Sequence, residues 1–160
     1  MGNHDGVEDE RPLPEYATLA AGFWVAFVLF VGLNRDRLPE RMRATDLVLL
    51  ALSSYKLSRV ITKEDVTAFV RAPVTEDAEG QRPKPRGMAR VLGELVTCPY
   101  CIGLWTTSAL ACAQVVFPRE TRFFTSIFGT YAVTDFLHAA FVRLKDRAPE
   151  AATPTEEGAA

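Results

Sequence analysis

The residues best equipped for chemistry are two cysteines in Cys98-Pro99-Tyr100-Cys101. They stand where a loop gives way to an uncharged stretch, residues 102–117. A helix starting there would aim free backbone N–H groups at Cys98, and the positive end of its dipole would favour a thiolate. Such a pair can close into a disulfide and exchange it. Two other readings stand beside that one. Two thiolates fill half of a tetrahedral metal site, and His4 and His138 make no obvious completion, although a second copy of the chain would bring another pair. In the plainest reading, Pro99 stiffens a tight helix entry and both cysteines pack as small side chains. Cys112, in the middle of the stretch, reads as packing.

A second cluster lies in residues 123–142, where Asp135 and His138 interrupt an otherwise uncharged run. Three positions apart, they share one face of a helix. Thr130 and Thr134 follow the neighbouring row, and Tyr131 lies one turn before Asp135. Ionisable groups in an apolar segment often line a proton or ion path. Hydrogen bonds between helices explain the same stripe equally well, with Thr106, Thr107, Ser108 and Gln114 as partners.

The elements that must hold these groups are helical and apolar. Residues 17–33 carry no charge and as a helix would reach about 26 Å, close to the ~30 Å hydrocarbon core of a bilayer. Residues 102–117 and 123–142 make a helical hairpin broken at Pro118. Residues 44–61 are ambiguous, because Asp46, Lys56 and Arg59 leave an uncharged run that would rise only about 14 Å. Lys56, Arg59 and Lys63 form one basic stripe, which suits a helix lying at the interface with its cations near anionic lipid headgroups. The competitor is a fourth span with snorkelling Lys and Arg. Thr62 and Asp65 resemble a capping box for a short helix ending near Arg71. Residues 73–86 read as a loop, and Met88, Val91, Leu92 and Leu95 make one face of an amphipathic helix opposite Arg86, Arg90 and Glu94.

A net charge of −2 over 160 residues gives no case for nucleic acid, and no cofactor motif is present. Residues 1–16 are acidic, unlike an export signal, and with residues 148–160 they read as disordered. Arg35, Arg37, Arg41 and Arg43, then Arg143, Lys145 and Arg147, follow apolar stretches as cytoplasmic segments do. The expectation is an all-α integral protein of the inner (plasma) membrane in one helical domain, residues 17–147. It has three transmembrane helices, four if residues 44–61 cross, and amphipathic interfacial helices. The N-terminus is outside and the C-terminus cytoplasmic.

Several segments together carry a resemblance. They are Ala44-Thr45-Asp46-Leu47, Tyr55-Lys56-Leu57-Ser58-Arg59 running into Val60-Ile61-Thr62-Lys63, Arg71-Ala72-Pro73, Glu94-Leu95-Val96-Thr97-Cys98-Pro99-Tyr100-Cys101-Ile102-Gly103-Leu104-Trp105, and Asp135-Phe136. Across residues 44–142 the chain resembles an uncharacterised bacterial family, catalogued among domains of unknown function under the number thirteen-sixty. The resemblance implies membrane residence and directs attention to Arg59, Glu94, Cys98, Cys101, Trp105 and Asp135. The family includes a sporulation-associated member, and no activity comes with it. The expected role is a structural or interaction component of the cell envelope, acting as a homo-oligomer or with a membrane partner protein. The alternatives are a membrane thiol–disulfide redox protein, with Cys98 as nucleophile and Cys101 as resolving thiol, and a proton- or ion-path subunit built on Asp135 and His138.

Overall fold

A computed structural model describes residues 12–77 and 81–147. Most of the acidic start, the tail from residue 148 onward and His4 lie outside the described residues. The protein is all-helical: α1 (Leu13–Leu33), α2 (Ala44–Lys63), the single turn α3 (Ala68–Arg71), α4 (Gly87–Thr97), α5 (Pro99–Val116) and α6 (Pro118–Arg147). No strand occurs among the described residues. One antiparallel bridge, Thr75 with Pro83, pins the loop before α4.

Local signals explain the boundaries. Pro99 and Pro118 each occupy the first position of a helix, where a missing N–H costs nothing and φ is already helical. Gly87 opens α4 at φ 64°, a left-handed conformation that side chains with a Cβ adopt at a penalty. α1 begins before the apolar stretch, so Tyr16 belongs to its first turns and donates a hydrogen bond to Glu94 on α4.

Contacts along the helices set their directions. Asp46, Ser53 and Lys56 of α2 meet Arg122, Thr125 and Asp135 of α6 in that order, so the two helices run parallel. α5 runs back against α6 after the break at Phe117. Phe23 of α1 packs edge-on against Trp105 of α5 at 5.0 Å, and Phe30 shares a cavity wall with Cys112, so α1 runs with α5. The start of α1, the end of α2, α4, the start of α5 and the end of α6 therefore gather at one end, here the Cys98 end. Residues 34–43 and the α5–α6 turn gather at the other. α4 meets α5 at 83° and lies across the Cys98 end.

The interfacial expectation for α2 is not met. This helix of 20 residues, about 30 Å long, packs lengthwise between α5 and α6. Its buried side chains are Leu50, Ser53, Ser54, Lys56, Ser58 and Thr62, whereas Leu47, Val48 and Tyr55 are exposed. Ser53, Ser54, Lys56 and Ser58 face inward because their partners lie on other helices, which a periodicity argument cannot detect, while Arg59 and Lys63 of the basic stripe stay exposed. The capping box also fails to form. Thr62 is inside α2 and fully buried, and Arg71 instead closes the helix end, donating to the Ile61 carbonyl at 2.6 Å and the Glu64 carbonyl at 3.1 Å.

The interior is rich in hydroxyls. The Ser53 hydroxyl donates to the Thr125 carbonyl at 2.7 Å, and Ser54 and Ser58 both bond Thr106, at 3.0 and 2.9 Å. Side chains of α2 press against α6 at Gly129, where a Cβ would lie 3.1 Å from Leu49 Cδ2. Large apolar side chains point outward along α1 and α6, among them Trp24, Val28, Phe123, Leu137 and Phe141. By continuous hydropathy, α1 alone among the described helices is long and apolar enough to cross a membrane, and little of it is buried. α5 and α6 carry the hydroxyls, Asp135 and His138 that lower that measure.

Candidate functional site

The thiol pair is built by the entry of α5. Cys98 is the N-cap residue, in extended conformation, and its Sγ accepts the Cys101 backbone N–H at 3.3 Å. The Cys101 thiol donates to the same sulfur, with the two Sγ atoms 2.7 Å apart. Both cysteines are free thiols, Cys98 half-buried and Cys101 exposed. Their acidities are split. Burial raises the Cys98 thiol, but hydrogen bonds from the Cys101 thiol and the N–H groups of Cys101 and Tyr100, with the nearby Lys63 charge, outweigh it and bring the net value below the ordinary thiol range. Burial, the bond given to Cys98, the charge on Cys98 and the Glu94 carboxylate push Cys101 up to about 11. The geometry thus makes Cys98 the more acidic thiol of the two and Cys101 the less.

The second cluster is differently composed. Asp135 pairs with Lys56, Nζ to Oδ2 2.6 Å, and the same ammonium lies 3.7 Å from the centroid of the Tyr131 ring. Only 4% of the Lys56 side chain is accessible. Sequence reasoning had put Lys56 on an outward stripe and sought Asp135's partner among hydroxyls. His138 is exposed on the next turn, and no hydrogen bond joins it to Asp135. The two residues share a groove without forming a linked relay.

The remaining residues singled out by resemblance divide by role. Glu94 accepts from Tyr16 and from Arg90 Nε at 3.0 Å, tying α1 to α4. Trp105 anchors α1 to α5 through Phe23. Arg59 is exposed over the Tyr55 ring, 5.9 Å from its centroid. It borders two cavities at the Cys98 end: one of 350 Å³ reaching Pro99 and Tyr100 of α5, another of 610 Å³ reaching Asp135, His138 and Arg143 of α6. Arg71 was missed as an important residue on physical grounds. The hint was an arginine before Ala72-Pro73, in a segment too short to bury a charge unaided. Among the described residues no three His, Cys, Asp or Glu side chains come together as a metal site needs.

A family model described as a protein of unknown function, DUF1360, matches residues 49–141. The UPF0713 protein YngL of Bacillus subtilis (strain 168) is 24% identical over 115 residues, covering 67% of this chain and 88% of the relative. The sporulation protein YjcA of the same organism is 29% identical over 86 residues, covering 48% of this chain and 73% of the relative. No solved structure matches.

Proposed function

The chain belongs to the DUF1360 family of unknown function, and from that premise we propose that it is a multi-pass protein of the bacterial plasma membrane, serving as a structural or interaction component of the cell envelope. The observation that carries this reading is its inverted polarity. Ser53, Ser54, Ser58, Thr62, Thr106, Thr125 and Lys56 are buried, while Trp24, Val28, Leu29, Phe123, Leu137 and Phe141 are exposed. In water that arrangement forfeits the hydrophobic driving force; in lipid it satisfies the polar groups on neighbouring helices or, for Thr62 and Thr125, on their own helix, and gives the apolar surface to acyl chains.

The helix directions favour four crossings over three. α1 and α5 run the same way, so the chain must return between them, and α2 is long enough to do so. Both ends of the helical domain then lie on one side. Lys and Arg side chains are more numerous at the Cys98 end, which favours that end as cytoplasmic. The sporulation relative supports spore formation as the setting for the role.

Labelling with a membrane-impermeant maleimide tests this. In intact cells Leu38→Cys should react in a background lacking the native cysteines, while native Cys101 should react only after lysis. Protection of both positions in intact cells, with labelling only after lysis, returns the protein to three crossings, and protection of position 38 with Cys101 labelled inverts the four-crossing orientation. A chain that stays monodisperse without detergent ends the membrane reading.

A second reading rests on the thiol geometry. A Cys98 thiolate attacks a disulfide of a partner protein, releasing one partner thiolate, which takes up a proton. Cys101, once deprotonated, then displaces the other partner thiolate. The partner gains two thiols, and Cys98 and Cys101 leave as a disulfide. Trapping a mixed disulfide with the Cys101→Ser variant tests it. Failure to trap any partner while Cys98 remains alkylatable removes it.

A further inference from the structure

We infer that the groove between α2 and α6 at the Cys98 end is a binding site for a phosphate group, carried by a phospholipid head or by free phosphate. Arg59 comes from one wall and Arg143 from the other, both exposed, with His138 beside them. Neither arginine has a carboxylate within ion-pair distance among the described residues. The one carboxylate lining the groove, Asp135, is already engaged by Lys56 at 2.6 Å. The field in the groove is therefore positive, although an acidic side chain lies within it. Two guanidinium forks facing one space suit a tetrahedral oxyanion, because each can give two parallel N–H donors.

The space fits the group. The cavity is 610 Å³, and Ala139 and Ala140 leave its wall free of bulk. Tyr55 and Phe136 stack across it at 5.5 Å with 20° between planes, an apolar surface suited to the glycerol and upper acyl part of a lipid. Arg143 directly follows the apolar stretch that ends at Val142, so the groove opens where headgroups would lie. That last point depends on the membrane reading; the arginine clamp does not.

The full chain, purified in neutral detergent, can be tested by native mass spectrometry with dioleoylphosphatidylglycerol and dioleoylphosphatidylcholine, and by calorimetry with inorganic phosphate. Arg59→Gln with Arg143→Gln should reduce phosphatidylglycerol retention about tenfold or more, while Arg35→Gln with Arg37→Gln at the opposite end changes it little. Arg59→Lys with Arg143→Lys keeps the charge, loses the forks and should fall between. Circular dichroism confirms that each variant is folded, as expected for exposed side chains of which, among the described residues, only Arg59 makes a further contact, over the Tyr55 ring. Phosphatidylglycerol retention without phosphate binding identifies the lipid as source, and phosphate binding without lipid preference identifies the free ion. Equal losses in the two glutamine pairs, or no binding of either probe by the unaltered chain, overturn the site. Monodispersity without detergent would sink the membrane reading separately, leaving the phosphate measurement to judge the clamp.

Discussion

The seam between α2 and α6 and the entry of α5 both concentrate ionisable groups, yet they use them in opposite ways. At the seam, Lys56 is enclosed and its ammonium is held by Asp135 and the Tyr131 ring. At the α5 entry, two sulfurs compete for one proton near solvent, and their acidities move apart. A charge with its partners in place makes a joint; an exposed pair with unequal acidity makes a reagent. Burial and partner saturation separate the two cases better than residue type does.

The contrast can be broken most directly at the seam. Lys56→Met leaves the partly exposed Asp135 without its cation and should cost about 2 kcal/mol of stability, read by thermal unfolding in detergent. Pairing it with Asp135→Asn should restore much of the loss, since no charge is then left alone. Additive losses in that double variant would show that the two residues do not act as a joint.

Arg71→Ala removes the donor that closes α2 at the Ile61 and Glu64 carbonyls. The expected loss is about 2 kcal/mol, with the end of α2 exchanging its amide hydrogens faster. Unchanged exchange there would mean other groups close that helix. Gly129→Ala brings a methyl against Leu49 and should cost about 1 kcal/mol. A gain in stability instead would mean the seam is loosely packed at that point.

The smallest effect in energy sharpens the other side of the comparison. Because the Cys98 thiol lies below the ordinary range, lowering the pH from 9 toward neutrality should leave more thiolate there than on an unstructured cysteine. Iodoacetamide should accordingly modify Cys98 several-fold faster than a free thiol at neutral pH, and Cys101 slower. Cys101→Ala removes the thiol hydrogen bond that Cys98 accepts and should narrow the advantage. Equal rates for Cys98 and a free thiol would reduce the pair to a structural turn.

Much of this architecture is legible in the chain itself. Proline at 99 and glycine at 87 mark the starts of α5 and α4 closely, because these signals act within a few residues of where they stand, whereas the uncharged runs 17–33 and 123–142 understate α1 by four residues at its start and α6 by five at each end. The Cys98 cap follows for the same reason. α2 departs from its expected place because Lys56, spaced like the exposed Arg59 and Lys63, turns instead toward a neighbouring helix, and spacing alone does not separate the three.

The amino-acid order by itself determined that the protein is helical, where most helices start and stop, and which two sulfurs meet, all through interactions of short range. Which face of α2 turns inward, that Lys56 belongs to Asp135 79 positions away, and that Arg59 and Arg143 border one groove were decided only by tertiary packing. The physical reason is that a polar side chain has no preferred side until its partner arrives, and those partners come from distant segments.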